Sequence, residues 1–254
     1  MQDIPALVKD MLAGSKTSLA RLISLVEEGS ADVPEIRQLI SSRLGKAYRV
    51  GITGPPGAGK STLIDGLITL MRNKGLSVGV VAIDPSSYIS GGALLGDRVR
   101  MQQHYMDNGV FIRSMATRGI SGGLCRAATV AVDLLDASGK DVVIVETVGV
   151  GQTEVEVIKL ADTVVVVLVP EFGDGIQLMK AGFVEIADIV VVNKGDREGA
   201  ENMALELGKG IVTGARGVEP PVIITQAVNN IGIAELYREI EKRGQKPKPS
   251  PEAG

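Results

Sequence analysis

One cysteine, one histidine and no tryptophan occur in the 254 residues, and aromatic side chains make up only 3%. Cys125 alone excludes a disulfide framework, and Cys125 with His104 is too little for a Cys/His metal cluster within one chain. A lone cysteine also suits a reducing compartment. With so few rings, the core has to be built from Val, Ile, Leu and Ala, which suits strands covered on both faces of a parallel sheet. The net charge of −3 argues against a nucleic-acid partner held by phosphate neutralisation. The opening MQDIPALVKD lacks a basic stretch followed by an apolar run, so it does not read as a secretory signal. The most apolar stretch, residues 164–169, is far too short to span a bilayer. The expectation is a soluble, cytoplasmic protein with no membrane partner.

What is present divides the chain in three. Residues 1–45 read as a helical extension. Leu19, Leu22, Ile23 and Val26 recur at helical spacing up to Gly29, and Pro34 opens a second helix carrying Ile36, Leu39, Ile40 and Leu44 up to Gly45. A helical pair packed on the flank of the main domain is predicted, with a partner-binding surface as the other reading. Residues 46–243 alternate β-rich runs with helices. Strands are predicted over 49–53, 78–84, 110–113, 142–146, 163–169, 189–193 and 222–225, and helices over 61–73, 97–105, 123–135, 175–184, 200–209 and 231–242. This alternation predicts an α/β fold, a mostly parallel sheet with helices on both faces. The tail, 244–254, is Pro- and charge-rich and is expected to be disordered.

Gly54-Pro55-Pro56-Gly57-Ala58-Gly59-Lys60-Ser61 fits the pattern G-x-x-x-x-G-K-[ST], between a β-run ending at Thr53 and a helix opening at Thr62. The glycines let backbone N–H groups converge on phosphates. Lys60 places a cation on the β/γ oxygens, Ser61 offers a hydroxyl to Mg²⁺, and the helix N-terminus favours the same anion. A nucleoside triphosphate is the expected ligand.

The base is read from Asn193-Lys194-Gly195-Asp196, which follows an apolar strand. An Asp carboxylate there can accept from the ring N–H and the 2-amino group of guanine. Adenine offers no such pair, so discrimination can reach on the order of 10⁴-fold. Thr225-Gln226-Ala227 ends a later β-run, where the Ala227 N–H is placed to read the guanine carbonyl oxygen. Glu146-Thr147-Val148-Gly149 closes another strand, as expected of a carboxylate reaching Mg²⁺ and a glycine sensing the γ-phosphate. Val150 follows Gly149 where a water-orienting Gln is usual, and Gln152 lies two positions on, so slow intrinsic hydrolysis is predicted. Asp84 and Asp97 suit Mg²⁺–water ligation and water activation, or alternatively capping of a turn and of a helix. Arg98, Arg100, Arg113, Arg118 and Arg126 form a set that faces phosphate or a partner, or else is solvated surface. His104, among polar neighbours, reads as a surface residue.

Taken together, LARLISLVEEG (19–29), RVGITGPPGAGKSTLID (49–65), VAIDPSS (81–87), GGALLGDRVRM (91–101), FIRSMATRG (111–119), ETVGVGQTEVEV (146–157) and NKGD (193–196) resemble the methylmalonyl-CoA mutase-associated GTPases. These are the MeaB/ArgK type within the SIMIBI class of P-loop proteins. The resemblance implies a SIMIBI-type P-loop fold. It also implies a GTPase, using GTP and Mg²⁺, that chaperones an adenosylcobalamin-dependent acyl-CoA mutase, gates cofactor delivery and is stimulated by its client. By the same resemblance Lys60 and Ser61 hold phosphate and Mg²⁺, and Asp84, Asp97 and Glu146 serve the Mg²⁺ and switch network. Asn193 and Asp196 hold guanine, and Gly149 and Gln152 belong to the switch. Two departures stand out. The family's dimer is built by a longer C-terminal helical arm, whereas this chain runs into KPKPSPEAG, leaving a homodimer open. The guanine-loop motif, usually Ser-Ala, reads Gln226-Ala227. A nickel-inserting GTPase of the same class, or a nucleotide-gated transport or targeting component, are the alternatives.

Overall fold

The computed structural model of the chain describes residues 3–84, 101–116, 123–147, 160–172, 186–210 and 219–244. Within them seven strands form one sheet: β1 (Tyr48–Thr53), β2 (Val78–Asp84), β3 (Val110–Ala116), β4 (Val142–Thr147), β5 (Thr163–Leu168), β6 (Ile189–Val192) and β7 (Val222–Ile224). The spatial order is β3-β2-β4-β1-β5-β6-β7, and every neighbouring pair is parallel. β4, β5 and β6 are buried at every position, the signature of strands covered on both faces. β3 continues beyond Arg113 because Ser114 and Met115 still pair with Ala82 and Ile83 of β2, and Met115 is buried there.

One face of the sheet packs against α4 (Lys60–Asn73) and α7 (Ile233–Gly244), over Val50, Ile52, Ile144, Val165 and Val167. On the other face α6 (Ala200–Gly210) covers Val164, Val166, Val190 and Val192. Beside it, α5 (Gly123–Ala137) covers Val81, Val143 and Val145. The N-terminal segment is a third layer packed on α5. It contains three helices rather than the expected pair: α1 (Ile4–Leu12), α2 (Lys16–Glu27) and α3 (Val33–Ile40). The unforeseen α1 starts where Asp3 accepts a hydrogen bond from the Ala6 N–H at 3.0 Å. Pro5 stands in its first turn, where a missing N–H costs nothing. Ile4, Val8 and Met11 bury its inner stripe, in the same apolar cluster as Val143 and Val145.

Where the third layer joins the sheet, a carboxylate does the fastening. Asp136 of α5 accepts from the backbone N–H groups of Gly45 (2.7 Å), Lys46 (3.0 Å) and Ala47 (2.9 Å), and from Arg49 of β1 at 3.0 Å. Arg49 also donates to Asp133, one turn earlier on α5. Burial alone raises the Asp136 carboxyl, but the Ala47, Gly45 and Lys46 amides and the Arg49 guanidinium bring it below the usual carboxylate range. Asp133, chiefly through burial, is held above that range.

Other predicted elements differ or cannot be placed. The last helix begins at Ile233, not 231, because Ile231 exchanges backbone hydrogen bonds with Gln226 and Gly232 turns the chain at φ +78°. Of the helix expected over 97–105, the described part contains only a 3₁₀ turn, Gln102–His104. His104 is not a surface residue: it is buried, with Nε2 3.2 Å from Asp65 Oδ1 and 3.3 Å from the Asp65 carbonyl on α4. The helix expected over 175–184 and the tail from 245 lie outside the described residues.

Candidate functional site

All seven strands point the same way, so their C-terminal ends share one edge, and the order around β4-β1-β5 places a crevice there. The chain leaves β1 at Thr53 into the loop 54–59 and enters α4 at Lys60. Glycine is required at both ends of that loop. Gly54 has φ +144°, and a Cβ there would lie 2.1 Å from the Val167 carbonyl oxygen of β5. Gly59, left-handed at φ +87°, would place a Cβ 2.4 Å from Asn193 Nδ2. Gly59 is also the N-cap of α4, and no side chain caps that helix. The start of α4 thus closes the loop, and the helix dipole there favours an anion. Pro56 and Gly57 form the exposed tip, and Ala58 is buried beneath it. Lys60 is buried, and its ammonium donates to the carbonyls of Gly54 (2.9 Å) and Pro55 (3.0 Å), bracing the loop across its opening.

Behind the loop, two oxygen groups meet. The Ser61 hydroxyl donates to Glu146 Oε1 at 2.9 Å, and both residues are buried. Parallel pairing sets Glu146 level with Ile52 of β1 and Ala82 of β2, so β4 delivers its carboxylate to the base of the loop. One position on, Thr147 donates to Thr53 at 2.9 Å and ties the two strand ends together. A hydroxyl beside a carboxylate is a hard-oxygen pair of the kind Mg²⁺ takes when phosphate and water complete its shell. Among the described residues no group of three His, Cys, Asp or Glu side chains is placed to hold a metal ion. Asp84 closes β2 opposite Ala116, with its side chain beyond the described atoms. Asp97, Gly149 and Gln152 lie outside the described residues, as do Arg98, Arg100 and Arg118. Arg113 donates to Ser24 and Glu27 of α2, a helix-to-strand tie.

The second half of the crevice is built by the loops after β6 and β7. Asn193 is the hub. Its Nδ2 donates to the Ala58 carbonyl at 2.8 Å, while its Oδ1 accepts from the Thr225 hydroxyl at 2.9 Å and the Ala227 N–H at 3.1 Å. The phosphate-type loop and the loop after β7 are thereby fixed to one side chain. The Ala227 N–H, expected to face a guanine carbonyl oxygen, is here donated to Asn193. Lys194 adopts φ +59°. The Gly195 N–H donates to the Thr225 carbonyl at 2.9 Å, and a Cβ on Gly195 would lie 2.4 Å from Ile224 Cγ2. This tight turn presents Asp196 to solvent. A cavity of about 450 Å³ joins the two halves, with Gly57, Gly59 and Thr62 on one side and Lys194, Asp196 and Gln226 on the other. Sequence reasoning missed Thr225, Val228 and Arg197. Thr225 was visible as the last residue of a β-run, but its hydroxyl contact was not. Val228 and Arg197 also line the cavity, and Arg197 is paired with Glu171 beyond β5.

The parallel sheet, the glycine loop opening α4 and the Asn193 clamp define a P-loop nucleotide-binding fold of the SIMIBI type. Residues 19–249 match the family model described as methylmalonyl-CoA mutase-associated GTPase MeaB, and the chain belongs to that family. It is 54% identical over 245 residues to a Pyrococcus abyssi protein provisionally named a GTPase, covering 94% of this chain and 75% of that one. It is 35% identical to the Escherichia coli GTPase ArgK, over 92% of this chain and 73% of the relative. Among solved structures, one described as a LAO/AO transport system kinase matches with TM-score 0.72 and 29% identity, over 96% of this chain and 76% of that chain. A nickel-bound HypB from Helicobacter pylori matches at 18% identity and TM-score 0.59, a likeness of fold alone.

Proposed function

We propose that this chain binds GTP with Mg²⁺ in the crevice and hydrolyses it slowly. In this reading it serves in the cytoplasm as a chaperone of an adenosylcobalamin-dependent acyl-CoA mutase, gating cofactor loading and protecting the enzyme. The observation that carries the nucleotide reading is the Asn193 clamp, which holds the glycine loop and the Asp196 turn on one cavity. In this reading Gly54 to Thr62 hold the phosphates through backbone N–H groups and the Lys60 ammonium. Asp196 accepts from guanine, and Lys194, Gln226 and Ala227 shape the base pocket. Ser61 and Glu146, with Asp84 and Asp97, would hold the Mg²⁺. When bound, that ion supplies positive charge to the phosphoryl oxygens. Gly149 and Gln152 would form the switch, and with Val150 after the glycine, hydrolysis is slow until a partner acts.

The client reading is supported by the family's name and by a mouse relative, the mitochondrial methylmalonic aciduria type A homolog, 35% identical over 254 residues. Two measurements test the proposal. In Asp196→Asn an amide donor replaces the acceptor for guanine's N–H groups. Preference is then expected to shift from GTP toward xanthosine triphosphate by about a hundredfold or more in competition binding. Equal GTP affinity in both proteins would remove the guanine assignment. Separately, purified adenosylcobalamin-dependent mutases are added to single-turnover GTP hydrolysis, with at least a tenfold rise expected for the true client. A rate unmoved by any of them removes the chaperone assignment and leaves the GTPase.

A further inference from the structure

Away from the nucleotide crevice, on the face covered by the N-terminal helices, a second cavity of about 370 Å³ opens between α2, α3 and α5. Val26, Val33, Ala127 and Val130 make its lining largely apolar, and Arg37 of α3 and Arg126 of α5 stand on it, both exposed. These two guanidinium groups differ from those that are tied into the fold. Arg49, Arg72, Arg113 and Arg197 each meet a carboxylate. Arg37 and Arg126 make no ion pair or hydrogen bond among the described residues. Arg37 lies within the field of Asp133, but that carboxylate is held by Arg49 at 3.0 Å. The nearest acid in sequence, Glu35, lies two positions away on α3, where side chains do not face each other, and Asp32 accepts from the Ser30 hydroxyl at 2.8 Å.

We infer that this crevice docks the client mutase through a segment that presents an apolar side chain between carboxylates. The argument is charge complementarity. An apolar pocket bordered by two cations without counter-ions among the described residues is matched by an apolar anchor bordered by anions; the pocket supplies binding energy and the charges supply specificity and on-rate. Topology adds a consequence. β3 ends at the nucleotide edge, and α5 must run back from there to feed β4 at the opposite edge. The first turns of α5, which carry Arg126 and Ala127, therefore lie at the nucleotide end of the sheet. A partner seated on them touches a helix whose start is continuous in the chain with the catalytic edge. The inference rests on the mutase reading of the preceding section, and its test separates the two.

The double variant Arg37→Glu/Arg126→Glu is compared with wild type by fluorescence anisotropy, titrating purified mutase against labelled protein and a non-hydrolysable GTP analogue at low and high salt. The variant is expected to bind the mutase at least tenfold more weakly and to lose the salt dependence, with GTP affinity and unstimulated hydrolysis unchanged. Equal mutase affinity in both proteins overturns this inference while the mutase reading stands. If wild type binds no mutase, that reading falls. The crevice is then judged with a fluorescein-labelled peptide carrying Glu-Leu-Leu-Glu at its centre. Binding by wild type but not by the variant upholds the docking chemistry, and absence of binding by wild type overturns it.

Discussion

Asn193 shows what a single side chain does at this site. It satisfies a carbonyl 135 residues earlier in the chain and a hydroxyl 32 residues later, and it is itself buried. Replacing it by Ala leaves the Ala58 carbonyl, the Thr225 hydroxyl and the Ala227 N–H without these partners, at about 1–3 kcal/mol for each group that stays buried and unsatisfied. Asn193→Ala is therefore expected to lower the melting temperature in the absence of nucleotide. It should also weaken GDP binding about a hundredfold, roughly 2.7 kcal/mol. A fluorescent-nucleotide titration beside a thermal melt checks both. If Asn193 only touched the base, affinity would fall with no change in the melt. The motif made this residue legible as part of a base-binding loop, because Asn-Lys-Gly-Asp follows an apolar strand. Its clamp was not legible, since local sequence carries no information about a carbonyl so far away. His104 failed for the same reason. Gln102 and Gln103 suggested a polar, solvated helix end, whereas the tertiary fold lays the ring against Asp65 of α4.

Whole elements were more legible than their ends. Runs such as Val164 to Leu168 have one reading, because a strand buried on both faces has no polar alternation to confuse. The N-terminal α1 was missed because nine residues show only one short stripe, Ile4, Val8 and Met11, whose partner surface is supplied by distant elements. What holds that layer to the sheet is a connection between elements, centred on Asp136, and it makes a pH-dependent prediction. Its carboxyl is depressed in the fold, so at low pH the unfolded chain binds the proton first. Its contribution is complete above the ordinary Asp range near pH 4 and is lost as pH falls through the lower folded value. Asp136→Asn removes the charge from four hydrogen bonds and turns part of the acceptor into a donor facing N–H groups. A loss of about 3 kcal/mol at neutral pH is expected. The acid limb of the stability curve should also be shallower than in wild type, measured by urea unfolding between pH 3 and 7. Asp133→Asn should cost less, because burial already raises that carboxyl and its ionised form is the disfavoured one.

For the molecule as a whole, the boundary near residue 45 separates sequence patterns but not cores. Leu19, Leu22, Ile23, Val26, Ile36 and Ile40 of the helical segment share one apolar cluster with Phe111, Met115, Ala131, Leu134 and Val145. Each fully buried large side chain of this kind is worth about 1.5–3 kcal/mol, and a domain's net stability is only about 5–15 kcal/mol. Deleting residues 1–45 would strip the outer face of α5 and the edge of the sheet along β3. It would also remove the Gly45 N–H that Asp136 accepts from. The shortened chain would keep the glycine loop, Glu146 and Asn193, so a motif-level view predicts that it binds GTP. The packing predicts otherwise: a chain of residues 46–254 is expected to aggregate or to populate an expanded state that binds hydrophobic dye and shows no cooperative melt. Millimolar GTP with Mg²⁺ adds stability only as RT ln(1 + [L]/Kd), about 4 kcal/mol at a thousandfold excess over Kd. That is too little to replace several buried side chains, so nucleotide is not expected to rescue it. Circular dichroism melts with and without nucleotide decide the matter. A cooperative transition in the truncated chain that rises on adding GTP would show that the helical layer is an attachment and not part of the fold.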